Sequence, residues 1–144
     1  LPAQHSSGAT IKESELSDWA KSGIVEFWGH ISNIPPILSK AYVVVLPSYR
    51  EGFPKILMEA SASGKAIITT DVPGCRDAII PNITGLLIPP KDSVALANAI
   101  KLLLEEPLLC RSLGIAGRLH AQKQFDIKKV ISKHMQIYNE LINN

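Results

Sequence analysis

The sequence is poor in the residues that announce several classes of function. It has two cysteines, Cys75 and Cys110, at no metal-ligand spacing. A disulfide framework is therefore not expected, and reduced thiols in a cytoplasmic protein are. Its four histidines, His5, His30, His120 and His134, form no H-x-x-x-H pair, so no metal site is expected. Charged residues make up 19% of the chain and nearly cancel, leaving a net charge of +2. That is too little positive charge for a nucleic-acid surface. No apolar run approaches the roughly 20 residues of a membrane span, and no signal-peptide pattern opens the chain. No G-x-G-x-x-G follows a strand-like run, so no dinucleotide is expected, nor any other cofactor. Internal repeats and low-complexity runs are missing too. The first residue is Leu1 rather than Met, which reads as the start of a fragment. What is present is ordinary globular material: 144 residues, 46% hydrophobic, enough for one domain with a sizeable core.

The chain is organised around residues 42–64. Tyr42 to Leu46 is a short apolar run rich in β-branched residues, the pattern of a strand buried on both faces. Pro47 stops it, because proline cannot donate to a ladder. Arg50, Glu51 and Gly52 make a tight polar loop. Pro54 suits the first position of a helix and Gly64 the position just past its end. Between them Phe53, Ile56, Leu57 and Ala60 recur at i, i+3, i+4 and i+7, one apolar face. A helix N-terminus at the carboxyl end of a parallel strand offers free N–H groups and a partial positive charge, which suits phosphorylated ligands. Glu51 and Glu59 flank this join. Glu59 falls beside the apolar stripe, within reach of a ligand lying over the helix start. Carboxylates suit sugars, because they accept hydrogen bonds from neighbouring hydroxyls. A plainer alternative stands beside this one. Lys55 and Glu59, four residues apart, make a surface ion pair worth ~0.3 kcal/mol, and Glu51 merely favours the helix dipole.

The remainder alternates strand and helix signals. Residues 1–12 are polar and irregular. Ser14 to Lys21 predicts a short helix ended by Gly23, and Ile24 to Trp28 a strand. Pro35 and Pro36 open a helix through Lys40. Ala66 to Thr69 is a further buried strand, followed by a loop over Asp71–Arg76 on the same rim as Glu51. There Arg76 and Asp77 either face a ligand or pin a short helix, the second being favoured. Cys75 reads as a small packing residue. Thr84 to Ile88 is a short strand after a turn at Asn82. Asp92 or Ser93 then caps a helix with Leu96, Ile100 and Leu103 on its apolar side. Pro107 starts another, to about Gln124, with Gly114 and Gly117 weakening its middle. Asp126 caps the last, where Ile127, Val130, Ile131, His134, Tyr138, Leu141 and Ile142 share one stripe and His134 reads as a packing residue. The expected class is α/β, a Rossmann-like parallel sheet with helices on both faces and a helical C-terminus.

Several of these segments stand in a telling order: Leu46-Pro47-Ser48, Glu51-Gly52-Phe53-Pro54, Leu57-Met58-Glu59-Ala60, Gly64, Thr70-Asp71-Val72-Pro73-Gly74-Cys75-Arg76 and Thr84-Gly85-Leu86-Leu87-Ile88. Together they resemble the C-terminal domain of family 4 glycosyltransferases, the group 1 family, over roughly residues 13–142. The Asp71–Arg76 stretch looks most like bacterial enzymes of surface polysaccharide or lipid-linked oligosaccharide synthesis. The resemblance implies the C-terminal half of a GT-B fold. It also implies retaining transfer, without an essential metal, from a nucleotide diphosphate sugar to a glycan or lipid-linked acceptor, with uridine diphosphate (UDP) as the expected nucleotide.

The resemblance assigns residues as well. It puts Glu51, the catalytic candidate, on hydroxyls of the donor sugar and Glu59 on the ribose. Backbone N–H groups of the loop between the two glutamates approach the diphosphate there, Gly52 and Phe53 help Glu51 to orient the sugar, and Ser48 and Pro54 are further substrate-binding candidates. Pro54 stands where many relatives have glycine, so one donor is absent. Gly29, His30 and Ile31 become candidates for the base pocket, with a solvated turn as the plainer reading of His30. The arginine and lysine that hold the diphosphate in the family have no match before residue 13, and Lys12 is a poor substitute. The acceptor-facing domain is missing as well. Residues 1–144 are thus expected to be a nucleotide-sugar-binding domain truncated at its N-terminus and inactive alone. The alternative is a stand-alone module working with a second subunit. The paired glutamates argue against a third reading, an epimerase or phosphorylase. A lipid-linked acceptor would add peripheral membrane association of the full-length enzyme. The family's last helix packs toward the partner domain, so part of its apolar stripe is expected to be exposed.

Overall fold

Three short parallel strands carry the architecture: β1 (Val43–Leu46), β2 (Ala66–Thr70) and β3 (Leu86–Ile88), in the order β1-β2-β3. Val43 lies opposite Ala66 and Leu46 opposite Thr69, while Ile68 lies opposite Leu86 and Thr70 opposite Ile88. The structure, a computed structural model, describes residues 11–142. The chain divides into two units, Leu1–Ser32 and Asn33–Asn144, and the sheet belongs to the second.

Side chains alternate across a strand, and here each set meets its own helices. Ile67, with Val44, Leu46 and Leu87, packs against α2 (Pro35–Lys40) through Leu38 and against α3 (Lys55–Ala62) through Leu57 and Ala60. Val72, Cys75, Ala78 and Ile79 complete that core. Ala66 and Ile68, with Val43, Leu86 and Ile88, pack against α4 (Ser93–Glu105) through Ala99 and Leu103, and against α5 (Pro107–Gln124) through Cys110 and Leu113. The parallel sheet with helices on both faces is therefore the fold found. Cys75 is fully buried among apolar side chains, the packing role expected of it.

β2 is buried at every position, because it has a strand on each side and helices above and below. β1 is not. It lies at the edge of the described sheet, half-buried, with Val45 exposed and Tyr42 outside the strand. This corrects the expectation of a fully buried strand: both faces meet helices, through Val44 and Leu46 on one and Val43 on the other, but one edge of the strand has no partner among the described residues. An apolar β-branched run marks a strand, but not how many neighbours that strand has.

The helix ends follow local chemistry. The Asp92 carboxylate accepts from the Ala95 N–H at 2.8 Å and caps α4. α3 begins one residue later than expected, with Pro54 at its N-cap in an extended conformation (ψ 114°), and Gly64 follows its end. In α5, Gly114 is a contact rather than a weak point. A Cβ there would lie 2.2 Å from the Gly64 carbonyl oxygen, so only glycine lets α5 approach the end of α3.

α6 (Ile127–Ile142) begins where the Asp126 carboxylate accepts from the Lys128 N–H at 2.9 Å. None of its residues is buried, and the stripe from Ile127 to Ile142 is exposed along its length. His134 is exposed too, its Nδ1 2.8 Å from the Val130 carbonyl oxygen, so the packing role expected of it is not found.

In the first unit α1 (Glu13–Lys21) forms as expected, with Gly23 after it. Ile24 to Trp28 is not a strand. Ile24 is 86% exposed, and Phe27 and Trp28 are exposed as well. A strand exists only where a ladder satisfies its backbone, and among the described residues none pairs with this segment. Also among the described residues, no helix is long and apolar enough to cross a membrane.

Candidate functional site

Parallel strands bring their carboxyl ends to one rim, the usual seat of ligands on an open α/β sheet. Residues 47–54 leave β1 there, residues 71–75 leave β2, and residues 89–92 leave β3.

The loop after β1 is held from below. The Thr69 hydroxyl donates to the Leu46 carbonyl at 2.8 Å, and the Thr70 hydroxyl donates to the Ser48 carbonyl in a short bond. Both threonines are buried. Gly74, at φ +81°, lies directly against the loop. A Cβ at Gly74 would meet the Gly52 carbonyl oxygen at 2.2 Å and the Glu51 carbonyl oxygen at 2.6 Å. Thr69, Thr70 and Gly74 were not among the sequence candidates. Two hydroxyls ending an otherwise apolar strand were the available signal, since a buried hydroxyl needs a partner.

Within the loop the Ser48 hydroxyl donates to Glu51 Oε1 at 2.6 Å. Glu51 is half-buried, and its second oxygen has no partner among the described residues. One oxygen is thus fixed and the other is presented. α3 follows with no side-chain cap and no acidic residue in its first turn. Pro54 has no N–H, and the Leu57 N–H bonds the Pro54 carbonyl at 3.0 Å. The Lys55 and Ile56 N–H groups, which no helix can satisfy internally, remain as donors for an anion.

Glu59 lies further along α3. Its Oε1 is 3.3 Å from Lys55 Nζ, the ion pair of the plainer reading. The lysine side chain is 83% exposed, so that pair is weak and easily exchanged for a ligand. Lys55 and Glu59, with Arg118 and Phe125, also line a groove of about 620 Å³ between α3 and the α5–α6 junction. The Phe53 ring meets the Phe125 ring edge-on at 5.7 Å, and His120 meets Phe125 at 5.6 Å. Phe53 therefore anchors the loop to the end of α5.

Arg76 and Asp77 pin the segment after β2, the reading favoured for them. Arg76 Nε donates to Asp71 Oδ1 at 2.5 Å, and the Gly74 N–H donates to Asp77 Oδ2 at 3.2 Å. The Asp71 carboxylate raises the Arg76 pKa further above its ordinary value, through that hydrogen bond first and its charge second. Gly29 and His30 lie in the first unit, Gly29 at φ +63° and His30 exposed. The rim described above is built from the second unit alone. No group of three His, Cys, Asp or Glu among the described residues could hold a metal ion.

Comparison with known proteins gives a consistent picture. The family model described as Glycosyl transferases group 1 matches residues 6–106. An N,N'-diacetylbacillosaminyl-diphospho-undecaprenol alpha-1,3-N-acetylgalactosaminyltransferase from Campylobacter jejuni is 35% identical over 127 residues, covering 88% of this chain and 34% of its own length. A sucrose-phosphate synthase structure from Thermosynechococcus elongatus is 36% identical with a TM-score of 0.85, over 91% of this chain and 33% of that one. HepE from Anabaena, solved in complex with UDP, is 23% identical with a TM-score of 0.79, over 91% of this chain and 35% of that one, and shows the fold alone. The chain spans about a third or less of the curated relatives it matches.

Proposed function

The chain belongs to the group 1 glycosyltransferase family, and from that premise we propose that it is the donor-binding part of a retaining transferase. The donor is a nucleotide diphosphate sugar, with UDP as the nucleotide, and the acceptor is a glycan or a lipid-linked saccharide. The observation that carries this reading is the pairing of a pre-oriented carboxylate with an uncapped helix N-terminus on one rim. Glu51, fixed by Ser48, accepts hydrogen bonds from hydroxyls of the donor sugar. The free N–H groups at the start of α3 receive the diphosphate and stabilise it as it gains charge on leaving. Glu59 exchanges Lys55 for the ribose hydroxyls. Gly52 keeps the loop open to the ligand.

The choice of UDP rests on the likeness to bacterial polysaccharide and lipid-linked oligosaccharide enzymes. A lipid-linked acceptor is supported by the Campylobacter relative, whose name specifies an undecaprenol-linked one. Such an acceptor would bring the whole enzyme from the cytoplasm to a membrane surface. Transfer with retention needs the acceptor hydroxyl on the face from which the diphosphate leaves. That requires a second wall, supplied by the rest of a longer chain or by a second subunit. In this reading the 144 residues bind donor weakly and transfer no sugar by themselves.

Titration of the chain with UDP, followed by NMR, tests the proposal. Shifts centred on residues 51–59, weakened in Glu59→Ala, are expected. Absence of shifts up to millimolar UDP, or shifts indifferent to Glu59→Ala, would overturn the donor site as drawn.

A further inference from the structure

The rim carries a cation that the donor site as drawn leaves unused. Lys91 follows β3 and Pro89-Pro90, so it stands at the carboxyl end of the third strand. Its backbone has φ +63°, a left-handed conformation that glycine adopts freely and a Cβ-bearing residue adopts at a cost. Such outliers persist where the surroundings impose them, often at functional positions. The Lys91 ammonium sits 5.8 Å from the centroid of the Tyr49 ring. Tyr49 belongs to the same loop as Ser48 and Glu51, so this contact brings the charge of the β3 loop onto the β1 loop.

The charge is also free. Among the described residues Lys91 has no carboxylate partner, and its neighbour Asp92 is occupied as the cap of α4. Arg76, on the same rim, is held by Asp71. The start of α3 offers N–H groups but only a partial charge, and a diphosphate needs a full one close by.

We propose that Lys91, carried on the Tyr49 ring, is a diphosphate-binding residue of this rim. The inference rests on the donor-site reading of the same rim. An ammonium on a flexible stem suits this task, because it meets phosphate oxygens as a point charge from several directions. The diphosphate has two sources, the leaving group of the donor and a diphosphate on a lipid-linked acceptor.

The test uses Lys91→Gly, which removes the charge and relieves the left-handed backbone, so the variant keeps its fold. Its thermal midpoint should equal or exceed that of the original chain. NMR titrations would use UDP, uridine and farnesyl diphosphate as a short prenyl diphosphate. If the donor is the source, Lys91→Gly weakens UDP roughly five-fold, leaves uridine unchanged, and Lys91→Arg restores binding. If the acceptor is the source, UDP binding is unchanged and farnesyl diphosphate binding weakens. Lys91→Gly binding both diphosphates as the original chain does would overturn the inference, as would failure of the original chain to bind either. Glu59→Ala separates the two proposals. Loss of UDP with Glu59→Ala but not with either Lys91 variant keeps the donor site and removes Lys91 from it. The reverse result keeps Lys91 and removes Glu59.

Discussion

The segments that leave β1 and β2 start side by side at one rim, yet they use their polar groups in opposite ways. After β2, every charge is spent within the segment: Arg76 on Asp71, and Asp77 on the Gly74 N–H. After β1, Glu51 keeps one oxygen free, and α3 starts without a cap. Unsatisfied polar groups at an accessible rim are what a ligand can use. Self-satisfied ones make a floor. The difference separates a binding surface from its support, although the two segments have similar polarity in the sequence.

The largest expected effect comes from breaking the support. Gly74→Val adds a β-branched side chain at φ +81°, with its Cβ 2.2 Å from the Gly52 carbonyl oxygen. We expect a stability loss of about 3 kcal/mol in urea unfolding and no UDP binding by the fraction that folds. An unchanged unfolding midpoint would mean that the two loops do not bear on each other. Next comes Thr70→Val, which keeps the shape but leaves the Ser48 carbonyl without its donor. About 1 kcal/mol should be lost, together with a severalfold fall in UDP affinity. Stability lost with affinity intact would show that the threonine serves the sheet and not the loop.

Smaller still in stability, but sharper in chemistry, is Glu51→Gln. An amide oxygen can still accept from Ser48, so the unfolding curve should hardly move. Binding of a UDP-sugar should fall to the level of UDP itself, because the charged acceptor for sugar hydroxyls is gone. Equal preference for the sugar in both proteins would remove Glu51 from the donor site.

Arg76→Ala should do least, since both side chains of its pair are about half exposed. UDP affinity should be unchanged. The Arg76 pKa is raised by Asp71, so its stabilisation is complete below the unfolded value and is lost only as pH rises through the folded one, in strongly alkaline solution. The stability difference between Arg76→Ala and the original chain should therefore stay level from about pH 6 to pH 10. A slope across that range would show that a neighbouring titration is coupled to the pair.

Much of this was legible in the sequence where the cause is local. Pro107 and Gln124 bound α5 as read, Asp92 caps α4, and the strand at Ala66 is buried throughout. Proline, a capping carboxylate and an apolar run act on their immediate neighbours, so their effect shows in sequence. The segment Ile24–Trp28 failed because its backbone needs a partner strand, and its own pattern cannot supply one. The reason for Gly114 lies 50 positions away, at Gly64, where no local pattern can show it.

The site divides along the same line. The sequence by itself determined the chemistry on offer: two glutamates around a strand–helix join, a loop built of Gly52, Phe53 and Pro54, and the family to which that order belongs. Tertiary structure alone decided which groups are free. Whether a carboxylate, a lysine or an N–H keeps its bonding capacity depends on what the fold lays beside it. Thr70 beneath Ser48, Gly74 beneath Gly52 and Tyr49 beneath Lys91 are distant in the chain and meet only because parallel strands end at one rim.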